Sequence, residues 1–295
     1  MTNDVQFGFK KGHGCHHAVY MVQNVVDYFR KRGSTVFIAM LDASKAFDRV
    51  DHGCLFSKLI ERGVPSCLVA VLNDWYGKLS SVVRWCNCVS KSFEVKAGVR
   101  QGGILSPILF NVYMDDLNYV LRDGGHGCFI NRTFLGCFMY ADDIILLSAS
   151  VGGLQKLLDT CFEYCVDVGL SLNAKKSSCT IVGGNARRVI SVMKIGGQSI
   201  DWTVSFKYLG VTFVAGKDLR VDCAVMRRKF YAACNGLLYK CKQFAQNIKL
   251  YLMQVYCLPL LTYCMGVLTL SMKDVADIGV CWNDAFRRIY GLHRW

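Results

Sequence analysis

Apolar and polar positions divide the chain into two parts. Up to about residue 215, short apolar runs alternate with stretches of helical period, and from Asp218 onward the pattern reads as helix. The first periodic stretch, Ala18 to Arg32, predicts a helix ended by Gly33. Thr35-Val36-Phe37-Ile38-Ala39-Met40-Leu41-Asp42 then predicts a buried strand with an acid at its end. A helix beginning at Asp51 or His52 runs to Gly63, and Pro65 opens another toward Gly77. Ser80 to Ser90 and Ser92 to Ala97 look like paired strands. Ser106 as N-cap and Pro107 in the first helical position start a helix to about Arg122. Apolar runs on both sides of Tyr140-Ala141-Asp142-Asp143 predict a hairpin whose turn carries the acids. A helix over Gly153 to Val168 follows, then strand-like pieces at Ser178–Val182, Val189–Ile195 and Val204–Val214. In the C-terminal part, Leu219, Cys223, Met226, Phe230, Ala233 and Leu237 form a helical stripe. Arg220, Arg227, Arg228 and Lys229 lie off it, open to a polyanion.

Composition sharpens this picture in three places. The 295 residues are 53% hydrophobic and 19% charged, which marks a folded chain rather than a disordered one. The formal charge of +13 is uneven: residues 181–295 carry 16 of the 35 basic residues but only 6 of the 22 acidic ones. That asymmetry points to nucleic acid ahead of a membrane surface. The sixteen cysteines sit mostly in apolar runs, and Met1-Thr2-Asn3-Asp4 is a polar opening without a leader. They are therefore read as reduced thiols of an intracellular protein. Gly12-His13-Gly14-Cys15 recurs as Gly125-His126-Gly127-Cys128, but the spacing matches no standard zinc site. The uncharged run Leu250 to Met272 has the length of a membrane span. Pro259 would break it, so two buried helices are expected there.

The acids carry the chemistry. Two adjacent carboxylates in an apolar setting repel each other and need a cation, normally Mg²⁺ with oxygen ligands. Asp42 ends one strand and Asp142 stands at the end of another. If those strands are neighbours, the acids converge on one sheet edge, where two divalent ions could be held for phosphoryl transfer. Tyr113-Met114-Asp115-Asp116 repeats the dipeptide inside the helix opened by Pro107. With Phe110, Tyr113, Leu117 and Val120 as the apolar stripe, those two acids are expected to be solvated helix charges.

Five motifs together resemble the reverse transcriptases of non-LTR (LINE-like) retrotransposons. They are Leu41-Asp42-Ala43-Ser44-Lys45-Ala46-Phe47-Asp48-Arg49-Val50-Asp51-His52, Gly98-Val99-Arg100-Gln101-Gly102-Gly103-Ile104-Leu105-Ser106-Pro107, Tyr140-Ala141-Asp142-Asp143, Gly169-Leu170-Ser171-Leu172-Asn173-Ala174-Lys175-Lys176-Ser177 and Phe206-Lys207-Tyr208-Leu209-Gly210. Gln6-Phe7-Gly8-Phe9 is similar to the end of that family's finger region, although His13 and Cys15 replace the usual arginine and small hydroxyl residue. The resemblance implies an α+β fold: a right-hand polymerase palm over residues 34–215, with an antiparallel sheet packed on helices. Residues 1–33 would be a remnant of the fingers and 216–295 a helical thumb.

It further implies an RNA-directed DNA polymerase that extends a primer 3′-hydroxyl with dNTPs on an RNA template. Asp42, Asp142 and Asp143 would hold two Mg²⁺ ions, with Mn²⁺ as a substitute. Ala43, Lys45, Ala46, Phe47, Gln101, Gly102 and Lys176 would bind the nucleotide, with Phe47 as a gate against the 2′-hydroxyl. Tyr208, Leu209 and Gly210 would grip the primer. The resemblance implies action in the nucleus, with the cytoplasm as the alternative. The upstream finger strands and the endonuclease lie outside this sequence, so weak or undetectable polymerisation is expected of it, improved by restoring a finger segment from a related element. An inactive element copy and an RNA-dependent RNA polymerase are the rival readings.

Overall fold

A computed structural model describes residues 5–184 and 191–292. The run ending at Asp42 forms the strand Val36–Asp42 in the middle of a six-stranded sheet. The order across the sheet is Met193–Ile195, Gln198–Trp202, Ser178–Val182, Val36–Asp42, Asp143–Ser148 and Cys137–Tyr140. Neighbours pair antiparallel except Ser178–Val182 with Gln198–Trp202. The central strand is apolar at nearly every position because both of its faces are covered. Ala39 and Leu41 join one core cluster with the helices His52–Glu61, Ser106–Met114, Asp116–Asp123 and Val151–Asp167, while Val36 and Ile38 join another with Cys15–Lys31 and the hairpin Ser205–Val214. Alternation along the strand places Asp42 on the second face, with Ile38 and Met40.

Local signals set most helix ends. Asp51 caps His52–Glu61 by accepting from the Cys54 amide at 2.7 Å, and Ser150 caps Val151–Asp167 through the Gly153 amide. Gly33 takes a positive φ just past the first helix.

Several expectations need correction. Ser106 lies inside its helix, not at the cap, and its hydroxyl donates to the Arg100 carbonyl. The helix expected to reach Arg122 is two, broken at Asp115. Val120 is exposed and Leu121 takes its place in the core. The paired strands expected over residues 80–97 are two short ladders, Ser80–Ser81 with Phe93–Glu94 and Arg84–Trp85 with Cys88–Val89. Their side chains are exposed, so no buried face extends them. Val204–Val214 folds back on itself as Ser205–Tyr208 and Val211–Val214, because Leu209 and Gly210 take positive φ. Gln198–Trp202 is a strand that the sequence pattern did not single out. Of the strand expected over Val189–Ile195, residues 189–190 lie outside the described residues.

The C-terminal part is helical after a short strand, Arg220–Val221, that pairs with Val211–Val214. Leu219 accordingly packs with the sheet-side core rather than the helical stripe. Helices Cys223–Lys240, Gln246–Tyr256, Leu258–Thr262 and Met272–Tyr290 surround their own core of Phe230, Cys234, Met253, Leu261, Ile278 and Ala285. The uncharged stretch after Leu250 is interrupted at Cys257 and again after Thr262. No described helix is long and apolar enough to cross a membrane. All sixteen cysteines are free thiols.

Candidate active site

Asp42 and Asp143 are directly opposed across neighbouring strands. Tyr140 pairs with Asp143, leaving Ala141 and Asp142 as the two turn residues, with Ala141 at φ +55°. A non-glycine residue in that region is strained by roughly 1–2 kcal/mol. The register therefore brings three carboxylates to one end of the sheet. Burial of the Asp143 carboxyl raises its pKa, Asp142 and Asp42 raise it further, and Lys207 works against them. The residue as a whole stays solvent-accessible, so its carboxyl is crowded rather than sealed.

The loop after Gly169 is laced onto the first acid. The Ser44 amide donates to the Ser171 carbonyl at 2.9 Å, the Asn173 amide to the Asp42 carbonyl at 2.9 Å, and the Asp42 amide to Ser177 Oγ at 3.2 Å. Arg49 adds a 2.7 Å bond to Ser171 Oγ. This lacing sets Lys176 Nζ 3.8 Å from Asp42 Oδ2.

A second loop is laced to the turn that follows Asp42. Lys45 adopts a left-handed conformation and starts a 3₁₀ turn, Ala46–Arg49. The Gly98 amide donates to the Val50 carbonyl at 2.8 Å and the Val99 amide to the Phe47 carbonyl at 2.7 Å. Gly98 has φ +93°, and a Cβ there would lie 2.9 Å from the Asp48 backbone, so glycine alone permits this approach. Gln101 Nε2 then reaches Asp48 Oδ1 at 3.0 Å. Phe47 stacks on Phe110 with centroids 4.6 Å apart. A cleft of about 760 Å³ opens in front of these residues, lined by Phe9, Phe47, Gln101, Gly102, Gly103, Ile104, Ser106, Pro107, Ile108 and Asp142.

Other residues singled out in the sequence lie differently. The Tyr208 side chain is buried and its hydroxyl finds no hydrogen-bond partner. Burial, then nearby Asp143, drives its pKa well up. Only the turn at Leu209 and Gly210 is presented outward, and the Leu209 carbonyl accepts from the Tyr263 hydroxyl at 2.9 Å. Arg227 is half-buried in an ion pair with Asp277 at 2.9 Å, whereas Arg220, Arg228 and Lys229 are exposed.

Asp115 and Asp116 are not solvated helix charges. Asp115 is 0% exposed and bound to Arg62 at 2.7 Å, and Asp116 bonds both Arg62 and Lys58. Asp115 keeps helical dihedrals at the junction of the two helices, and both acids meet the cations of His52–Glu61 and the residue after it.

Lys207 and Phe9 escaped the sequence reading. Both sit inside stretches that were recognised, and only the tertiary fold brings them to Asp143 and to the cleft. Among the described residues no group of three or more His, Cys, Asp or Glu is gathered closely enough to hold a metal ion by itself.

Residues 1–213 match the family described as Reverse transcriptase (RNA-dependent DNA polymerase). The chain is 31% identical to the Retrovirus-related Pol polyprotein from type-2 retrotransposable element R2DM of Drosophila melanogaster, over 74% of this chain and 21% of that protein. It is 26% identical to the RNA-directed DNA polymerase from mobile element jockey of Drosophila funebris, over 97% of this chain and 32% of that one. The chain thus spans a fifth to a third of the length of these relatives. Among solved structures, telomerase from Candida albicans in complex with a TWJ fragment of telomeric RNA superposes with a TM-score of 0.52 at 11% identity, over 96% of this chain and 50% of that one. That likeness extends to the fold, a polymerase palm of α+β architecture.

Proposed function

The chain belongs to the reverse transcriptase (RNA-dependent DNA polymerase) family, and from that premise we propose that it is the palm and thumb of a non-LTR retrotransposon polymerase that extends a primer 3′-hydroxyl with dNTPs on an RNA template. The observation that carries this reading is the opposed pair Asp42 and Asp143 with Asp142 in the adjoining turn, where Asp142 lines a cleft shared with Phe47 and Gln101. Nucleus is the compartment that this reading assigns.

The donor set fits hard divalent ions. Asp42, Asp142 and Asp143 offer carboxylate oxygens, and the pKa of Asp143 is already raised, first by burial and then by its like-charged neighbours. An open set of this kind suits Mg²⁺, which takes one or two carboxylates and completes its shell with substrate phosphates. Two such ions, Mg²⁺ or Mn²⁺, supply activation of the 3′-hydroxyl and neutralisation of the triphosphate.

The chain's own residues do the positioning. The 3′-oxygen attacks the α-phosphorus in line, the bond to the β-phosphate oxygen breaks, and pyrophosphate leaves. Lys176, held near Asp42, offsets charge on the leaving group. The backbone of Ala43, Lys45 and Ala46 faces the triphosphate, Gln101 and Gly102 border the nucleotide, and the Leu209–Gly210 turn bears on the primer. Because the Tyr208 side chain is buried, its part in the grip is through the backbone. Arg220, Arg228 and Lys229 are available to duplex phosphates, and Arg227 is engaged with Asp277. Phe47 is braced by Phe110 from behind and borders the sugar.

Primer extension on poly(rA)/oligo(dT) with Mg²⁺ tests this reading, with dTTP and UTP compared. Extension with dTTP preferred is expected, and Phe47→Ala should raise the share of ribonucleotide incorporated. A preference for UTP in the parent would make the chain an RNA polymerase. An unchanged ratio in an active Phe47→Ala variant would return Phe47 to the core.

A further inference from the structure

The segment at Gln6 to Phe9 lies against the catalytic hairpin. The Phe7 amide donates to the Met139 carbonyl at 2.9 Å and the Met139 amide to the Val5 carbonyl at 3.0 Å, so Gln6 sits beside Met139 as an added parallel rung. Gln6 is 0% exposed. Its Oε1 accepts from the Gly8 amide at 3.1 Å and from the Ala141 amide at 3.2 Å. Gly8 passes so close to the turn that a Cβ would lie 2.7 Å from the Ala141 nitrogen. Asn111 Nδ2 holds the Gly8 carbonyl from the other side at 2.6 Å.

Three features of this corner oppose stability. Ala141 has a positive φ, and the buried Gln6 Nε2 and Asn111 Oδ1 have no hydrogen-bond partner. Strain and unpaired buried polar atoms persist where the surroundings over-determine them, and they cluster at functional sites. Here they surround the residue immediately before Asp142.

We infer that Gln6 is a positioning residue: its carboxamide, backed by Gly8 and Asn111, clamps the Ala141 amide and thereby fixes the direction of the Asp142 carboxylate toward a bound divalent ion. Gln6 touches neither nucleotide nor metal and acts through the turn. The inference rests on the reading of Asp142 as a metal ligand. Groups that orient ligands from behind typically matter about 10–100-fold in metal affinity or activity.

The test uses the full chain and Mn²⁺ as probe, with free Mn²⁺ measured by electron paramagnetic resonance. Gln6→Met keeps length and burial but removes the acceptor. Gly8→Ala presses on the Ala141 amide from the same side and serves if the first variant folds poorly. Both are expected to weaken Mn²⁺ binding about tenfold or more and to lower kcat for extension, with KM for dTTP and duplex Kd unchanged. Gln23→Met, at an equally buried glutamine on the following helix, should leave all four at parent values. Parent-level Mn²⁺ affinity in folded Gln6→Met and Gly8→Ala would overturn the clamp, as would an equal loss in Gln23→Met. If the parent binds Mn²⁺ without extending primers, the clamp is judged on Mn²⁺ alone, and a failure that persists after a finger segment from a related element is restored would sink the polymerase reading. A parent that binds no Mn²⁺ would sink both.

Discussion

Tyr113-Met114-Asp115-Asp116 sits at the break between two helices, and Tyr140-Ala141-Asp142-Asp143 at the turn of a hairpin. The first pair of acids is neutralised inside the protein, since Asp115 is buried on Arg62 and Asp116 is shared by Arg62 and Lys58. Burial works against the Arg62 charge, and the bonds to Asp115 and Asp116 more than offset it, so its pKa is held above the ordinary value. The second pair meets its own kind: Asp42 lies across the ladder, and Lys176 approaches Asp42 only to 3.8 Å. The same dipeptide is a structural staple where cations are bonded to it directly, and in the proposed reading a ligand set where Lys176 stands off at 3.8 Å and Lys207 only partly offsets the charge.

Exchanging each acid for its amide separates the two roles. Asp142→Asn should cause the largest loss of activity. Removing several kcal/mol of charge stabilisation from the transition state corresponds to ~10³-fold or more in rate. Its melting temperature should not fall, because a like charge beside Asp143 is gone. Primer extension and a thermal melt on one preparation check both halves.

Asp115→Asn should show the opposite profile. Breaking a buried ion pair on one side costs about 3–5 kcal/mol, readable as a lower urea midpoint, with kcat per folded molecule near that of the parent. Replacing Asp115 and Arg62 together by leucine should recover much of the loss, since no uncompensated charge then remains. If Asp115→Asn abolished extension without loss of stability, the roles of the two pairs would be exchanged.

The smallest effect is one of pH. The folded pKa of Asp143 is raised above its ordinary 3.8, so the folded state holds this proton more tightly than the unfolded chain does. This group's contribution to stability therefore rises as pH falls through the folded value and levels off below 3.8. Melts in EDTA should show this trend flattened in Asp143→Asn. Mg²⁺ should reduce it in the parent by favouring the ionised form. An identical pH trend in parent and variant would remove the like-charge account of the site.

The contrast also explains what the sequence could convey. The Val36–Asp42 strand, the acid hairpin and most helices were readable because apolar period and turn residues act locally, whereas the cap assigned to Ser106 was not. The α+β palm architecture followed from the resemblance that the five motifs carry. Asp115 was misread because a stripe argument counts only apolar neighbours, and the cation that lets its carboxylate be buried, Arg62, lies more than fifty positions earlier. Tyr208 was placed at the primer by its motif, yet the pleat of its own short strand buries it. Lys207 and Gln6 gain meaning only through partners 64 and 135 positions away. Local signals name the elements, whereas charge pairing and clamping are long-range and show only once the sheet is assembled.

Cys137–Tyr140 is the last strand of the sheet, and its outer row of amides and carbonyls would offer a template for pairing with another chain. Val5 and Phe7 occupy that row at Met139. The N-terminal segment is thus also a guard against edge-to-edge aggregation. Shortening the chain past Phe7 would uncover an apolar strand, so loss of solubility should accompany loss of the clamp.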